Sequence, residues 1–359
     1  MSAGADPAGT RRETRGPRSV VLGGTGFLGR HVCAALEAAG HDVLAVGRRP
    51  PAAGRPGVRF AAADLVAAGP DGIAALLRAE RPEVVVNAAG GVWDVDEEQM
   101  VRSNVTLVQH LITALESAAE RAAPGVPPRL VHFGSAHEYG PVPYGSLMDE
   151  RTASEPRTGY GRTKLRGTSL VLEAVRQGRV DGMVLRVSNV VGPGAPSSSL
   201  CGATAARLKS ASDSGERAAI RVDSAGTHRD FVDVRDVAGA VTAAARSGVR
   251  GVVNLGGGAA VSIRAVVETL ARISGAPADI TVDSRPAGEI RRASGDWQLL
   301  DISKARELLG WAPRRGLEDS LAALWHETDR HGHGPARAGL HGPGPCSARH
   351  TDDGETGDA

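Results

Sequence analysis

A short apolar run, Ser19-Val20-Val21-Leu22, ends in Gly23-Gly24-Thr25-Gly26-Phe27-Leu28-Gly29, and an Ala/Leu-rich helical pattern follows from Arg30 to Ala39. Strand, glycine turn and helix in that order leave few folds open. The spacing Gly24-x-Gly26-x-x-Gly29 allows a tight turn, close approach of backbone to a diphosphate, and close packing of the helix on the strand. The helix N-terminus then offers free N–H groups to the anion. In a chain with 47 glycines the spacing alone is weak. The flanking strand and helix make it a dinucleotide-site signature.

The same alternation continues. Strands are expected at Asp42–Val46, Val58–Ala61, Pro82–Asn87, Leu130–Phe133 and Met183–Val187, with helices over 71–80, 101–121 and 160–177. Such a pattern predicts βαβ units and a parallel sheet. The expected fold class is α/β, a doubly wound parallel sheet over 17–190. A smaller substrate-binding lobe over 191–330, interleaved with the sheet, follows Gly192-Pro193-Gly194. There, short strands at 219–222, 231–234, 252–255 and 279–282 alternate with helices near 198–211, 235–246, 262–274, 302–309 and 316–330. Residues 1–16 and 331–359 lack periodicity and are expected to be a disordered arm and tail.

Composition narrows the function. A net charge of +1, from 42 basic and 41 acidic residues, argues against a nucleic-acid groove or an anionic-membrane surface. Cys33, Cys201 and Cys346 have neither metal nor disulfide spacing, which fits a reduced cytoplasmic protein. No apolar run approaches the ~18 residues of a membrane span, and no signal peptide or metal site is expected.

Tyr160-Gly161-Arg162-Thr163-Lys164 places a phenol and an ammonium about one turn apart on one helix face. The ammonium is expected to lower the phenol pKa, so that Tyr160 can exchange a proton with a sugar hydroxyl or ketone. With three tyrosines and three lysines in 359 residues, chance gives roughly one such pair in forty chains. An NAD site wants an acid some 20 residues past the glycines. Here that strand ends in Gly47-Arg48-Arg49, which suits a 2′-phosphate. Ala88-Ala89-Gly90 follows the fourth strand with residues small enough for a flat cofactor to lie on backbone.

Taken together, these pieces resemble the extended short-chain dehydrogenase/reductase family, in its branch of nucleotide-sugar epimerases, dehydratases and reductases. The resemblance runs over about residues 18 to 326. It is carried by the glycine turn, Ser135-Ala136-His137-Glu138-Tyr139-Gly140, Tyr160 to Lys164, Leu185 to Gly194, Arg229 to Val234, Asn254 to Gly258 and Asp301 to Ala305. It implies Tyr160 as acid/base, Lys164 on the nicotinamide ribose, and Ser135 on the reacting oxygen. It implies cofactor contacts from Gly23, Gly24, Thr25, Gly26, Phe27, Leu28 and Gly29, and from Asp64 with Leu65 at the adenine. It implies substrate contacts from Ser135, Ala136, His137, Asn189 and Arg229, with Arg285 a weaker match to a second phosphate-binding arginine. A homodimer paired through helices 101–121 and 160–177 is implied by the same analogy.

Two departures narrow the reaction. The dehydratases carry Asp-Glu after the Ser/Thr, where this chain has Ala136 and His137, and alanine cannot donate a proton. The epimerases that retain NAD carry an acid where Arg48 and Arg49 stand. The expectation is therefore NADPH, with NAD possible, and reduction of the C4 ketone of a nucleoside-diphosphate 4-keto-6-deoxyhexose, the nucleotide expected to be dTDP. The alternatives are an NAD-dependent nucleotide-sugar 4-epimerase and a catalytically silent dinucleotide sensor, which would have no need of Ser135, Tyr160 and Lys164. Trp93, Asp94 and His228 read as loop residues, and Cys33 as core.

Overall fold

The computed structural model describes residues 16–51, 54–91, 96–120, 127–222, 226–282 and 295–331. The terminal segments expected to be disordered lie outside these apart from Gly16 and His331, as do Trp93, Asp94 and Arg285. The first half runs β1 (Arg18–Leu22), α1 (Phe27–Ala38), β2 (Asp42–Gly47), β3 (Val58–Ala62), α2 (Gly69–Glu80) and β4 (Val84–Asn87). It continues through α3 (Glu97–Val101), α4 (Leu107–Glu120), β5 (Arg129–Ser135), α5 (Gly159–Arg176) and β6 (Gly182–Val187). The second half contains β7 (Asn189–Val191), α6 (Leu200–Ser214), β8 (Ala218–Val222), β9 (His228–Asp233), α7 (Val234–Arg246) and β10 (Gly251–Leu255). After these come β11 (Ala260–Ser262), α8 (Ile263–Ser274), β12 (Ala278–Val282), α9 (Ser303–Leu309) and α10 (Leu317–His331).

Seven strands form one parallel sheet in the order β10-β6-β5-β4-β1-β2-β3. The chain is doubly wound, and the strand order reverses between β1 and β4, the position where such sheets bind nucleotides. Alternate residues of each strand serve opposite faces. Val21, Val43, Ala45, Val86 and Val131 pack with Val32 and Leu36 of α1 and Val237 and Val241 of α7. Val20, Leu22, Leu44, Val85 and Leu130 pack with Ile73 of α2, Leu111 of α4 and Val171 of α5. A third cluster joins α6, α8 and α10 around the smaller sheets β11-β9-β7 and β12-β8. No helix among the described residues is long and apolar enough to cross a membrane.

The helix expected over 101–121 is broken. Asp96 caps α3, accepting from the Gln99 amide at 2.7 Å, and a π-helical turn over Arg102–Thr106 separates α3 from α4. The extra residue in that turn directs Asn104 inward, 2% exposed. Asn104 brackets Gly91, accepting from its amide at 3.2 Å and donating to its carbonyl at 3.0 Å, and donates to the Thr163 hydroxyl of α5 at 3.1 Å. Gly91, beyond β4, is thereby tied to the Tyr160 helix.

Candidate active site

The glycine turn shows three different reasons for glycine. Gly23 has φ +76, in the left-handed region, and a Cβ there would lie 2.7 Å from the Ala89 amide nitrogen and 2.8 Å from the Ala88 carbonyl. This presses the turn onto Ala88-Ala89-Gly90. A Cβ on Gly29 would sit 2.0 Å from the Gly23 carbonyl, so only glycine lets α1 start where it does. Gly26 is different. Its φ of −74 is open to any residue, and a Cβ would meet the Gly23 carbonyl at 3.3 Å and no other neighbour within 4 Å. Gly26 is the N-cap of α1, so the space it leaves adjoins the start of that helix. That helix has no side-chain cap and no acid in its first turn, so its leading N–H groups are free for an anion. The residues present thus fit a dinucleotide diphosphate. Phe27 and Leu28 direct their side chains into the lobe and sheet clusters, leaving their backbone at the turn.

Gly47 ends β2 directly against this turn, where a Cβ would come within 2.5 Å of the Thr25 hydroxyl. Arg48 and Arg49 follow, both exposed, and neither has a hydrogen-bond or ion-pair partner among the described residues. Asp64 is exposed beyond β3, and its Oδ1 accepts from the amides of Val66 and Ala67, each at 3.1 Å. Leu65 is buried beside it.

Ser135, Tyr160 and Lys164 converge at the C-terminal end of β5. The Thr158 hydroxyl caps α5 by accepting from the Gly161 amide at 3.0 Å, which starts the helix one residue before Tyr160. Lys164 is 7% exposed and donates to the Phe133 carbonyl of β5. Burial pushes the lysine pKa down, opposed by the Glu138 carboxylate. Tyr160 keeps some exposed surface, yet its phenol lies deep enough that burial raises the pKa to about 12, with the hydrogen-bonding Ser135 pulling the other way. The expected lowering of the phenol pKa by Lys164 is therefore overturned. The ammonium is engaged by a backbone carbonyl, and desolvation dominates at Tyr160. Protonated tyrosine is the resting form.

His137 stands edge-on to Tyr160, with ring centroids 5.6 Å apart at 71°. Burial first, then the Arg229 charge, lowers its pKa to about 4, so the imidazole is neutral near pH 7. Ala136 is buried at 2% exposure and presents only a methyl group. Arg229 donates to the carbonyls of His228 at 3.0 Å and Gly295 at 2.9 Å, and has no carboxylate bonded to it among the described residues. Burial drops its pKa to about 10, opposed by nearby Asp296. A desolvated guanidinium held, among the described residues, by carbonyls is suited to accept a phosphate. Asn189 is less free: its side-chain amide donates to the Asp230 carbonyl at 2.9 Å and to Gln298 at 2.6 Å.

The structure adds residues that motif reading passed over. Asn104 and Gln298 gave no local signal, because their partners are distant in sequence. Glu138 did: Ser135-x-x-Glu138 is a capping box, and it closes here around a short 3₁₀ turn, Ala136–Glu138.

Residues 19–256 match the family described as the NAD dependent epimerase/dehydratase family. The chain is similar to a dTDP-6-deoxy-L-talose 4-dehydrogenase (NAD(P)(+)) of Kitasatospora kifunensis, 44% identical, with 88% of this chain and 97% of the relative covered. A GDP-6-deoxy-D-mannose reductase of Pseudomonas aeruginosa is 29% identical over 86% of this chain and 95% of its own. Among solved structures, MoeE5 in complex with UDP-glucuronic acid and NAD superimposes with a TM-score of 0.73 at 29% identity, covering 88% of this chain and 99% of that one.

Proposed function

The chain belongs to the NAD dependent epimerase/dehydratase family and is an NAD(P)-dependent oxidoreductase, and within that family we propose that it reduces the C4 ketone of a nucleoside-diphosphate 4-keto-6-deoxyhexose using NADPH. The dTDP nucleotide is proposed from the name of the Kitasatospora relative, whose activity at C4 is the same redox couple run toward the ketone. The observation that carries the reductive reading is the Arg48-Arg49 pair where β2 meets the glycine turn, without a partner among the described residues. It offers a 2′-phosphate two guanidinium groups and offers a 2′-hydroxyl no acceptor.

On this reading the glycine turn and the open N-terminus of α1 hold the diphosphate, Arg48 and Arg49 hold the 2′-phosphate, and Lys164 holds the nicotinamide ribose. The bound nicotinamide supplies hydride. Tyr160, protonated at rest, gives its proton to the C4 oxygen, and the Ser135 hydroxyl donates a hydrogen bond to the same oxygen. Arg229 holds the substrate diphosphate. Neutral His137 and the Ala136 methyl group line the sugar side without a strong acid, so loss of a sugar hydroxyl is not assisted. A homodimer paired through α4 and α5 belongs to the same proposal, with Gln109, Thr113, Arg166 and Ser169 exposed on those helices.

The test is NADPH consumption, followed by its absorbance, against a panel of nucleotide-linked 4-keto-6-deoxy sugars, with identification of the product. Reduction of at least one to its 4-hydroxy sugar is expected. No consumption with any of them would sink the proposal.

A further inference from the structure

Beneath the Ser135 turn lies a charge that the mechanism above leaves unused. Glu138 is 0% exposed, and a carboxylate so placed demands partners. Its Oε1 accepts from the Ser135 amide at 2.7 Å and from the Thr168 hydroxyl at 3.0 Å. Its Oε2 meets the Arg186 guanidinium at 3.0 Å from Nε and 2.8 Å from Nη2. Room for it comes from Gly134, where a Cβ would lie 2.8 Å from that Oε1 and 3.2 Å from the Thr168 hydroxyl. Arg186 is fixed in turn, its guanidinium 4.3 Å from the centroid of the Tyr139 ring, whose hydroxyl donates to Asn254 at 2.8 Å.

Thr168 is the third member of the series Tyr160, Lys164, Thr168, spaced by four residues on one face of α5. One carboxylate therefore ties the backbone of Ser135, at the end of β5, to the helix face that carries Tyr160 and Lys164. We propose that Glu138 is a positioning residue that sets the Ser135 hydroxyl against Tyr160 and whose carboxylate is the negative charge acting on the Tyr160–Lys164 pair. It rests on the ketone-reduction reading only for the use made of that proton.

Stability does not explain the arrangement well, since replacing a buried ion pair by apolar side chains is often neutral. The charges around the phenol give it a clearer purpose. Lys164 lies on the same helix, His132 of β5 beside Lys164, His137 on the turn, and Arg229 of β9 against His137. All are neutral or cationic, and Glu138 is the carboxylate that acts on Tyr160, with Arg186 behind it. Its field adds to the effect of burial at Tyr160, where burial is the larger cause, and opposes it at Lys164.

The test uses two variants of the full chain. Glu138→Gln keeps the shape and an acceptor for Ser135 and Thr168 but removes the charge. Thr168→Val keeps the charge and cuts the tie to α5. Ultraviolet difference titration of each against the same protein carrying Tyr160→Phe isolates the ionisation of Tyr160 and needs no substrate. Steady-state reduction of the 4-keto sugar supplies kcat and KM. Tyr160 should titrate lower in Glu138→Gln than in the parent. Thr168→Val should lower kcat about tenfold at nearly constant KM, as loss of alignment does. An unmoved Tyr160 titration in folded Glu138→Gln, or a parental kcat in Thr168→Val, would overturn the proposal. If Glu138→Gln does not fold, the kcat of Thr168→Val decides alone. A shifted titration in an enzyme that reduces no 4-keto sugar would refute the substrate reading and leave the role of Glu138 standing.

Discussion

Gly26 and Gly29 are three residues apart in one turn, and substituting each by alanine should separate folding from cofactor binding. At Gly29 the new Cβ would lie 2.0 Å from the Gly23 carbonyl and 2.8 Å from the Gly24 Cα. Backbone must move, and overpacking of this kind costs about 1–3 kcal/mol. At Gly26 the nearest atom is 3.3 Å away and φ is −74, so alanine fits. There, removing glycine from the unfolded chain stabilises by about 0.4–1 kcal/mol. Loss of a favourable N-cap residue costs about the same. The two nearly cancel, and Gly26→Ala should melt close to the parent while Gly29→Ala melts several degrees lower. The methyl at Gly26 would stand at the N-cap of α1, beside its free N–H groups. Losing one charge-assisted hydrogen bond to the diphosphate costs about 1.5–3 kcal/mol, a weakening of roughly 10- to 150-fold. Calorimetric titration with NADPH and thermal melting on the same samples measure both quantities. A Gly26→Ala protein that melts like the parent and binds NADPH equally well would refute the placement of the diphosphate at this turn.

Replacing Arg48 and Arg49 together by alanine should cut the preference for NADPH over NADH by about 10- to 150-fold in kcat/KM, and a parental preference in the double variant would remove these residues from cofactor choice. Tyr160→Phe should lower turnover at least ~10²-fold with little change in cofactor affinity; near-parental turnover would take Tyr160 out of the mechanism. Because burial sets the Tyr160 pKa near 12, the acid form persists across neutral pH. Ketone reduction should then be nearly flat between about pH 6 and 9, while the reverse oxidation, which needs the phenolate, should climb through the same range. Rate profiles in the two directions check the sign, and a reduction rate that falls through neutral pH would contradict it.

Local chemistry made most of this molecule legible from its sequence. The strand–turn–helix at Val20 to Leu36 and the helix pair Tyr160/Lys164 are short-range patterns, and the parallel sheet follows from their repetition. β7 and β11, three residues each, are too short to show an alternating pattern. The break between α3 and α4 was hidden because a π-helical turn keeps helical composition while shifting Asn104 inward. The direction of the Tyr160 pKa shift was hidden for a related reason. Spacing along one helix gives the distance to Lys164, but burial and the Phe133 carbonyl belong to neighbouring strands. Long-range partners likewise determine the environments of Asn189 and Arg229, bonded to Gln298 and Gly295 from far along the chain.

The central claim is reduction rather than epimerisation, and the nucleotide carried by the purified protein tests it most directly. An epimerase oxidises and re-reduces one carbon, so it holds NAD and needs no added reductant. A reductase draws stoichiometric NADPH and takes a sugar that is already oxidised. The Arg48-Arg49 pair supports the second case. A denatured sample analysed by chromatography should release little NAD, and a reductant-free incubation should leave UDP-glucose and dTDP-glucose unchanged. Near-stoichiometric NAD together with a C4-inverted product would contradict the account and establish the epimerase.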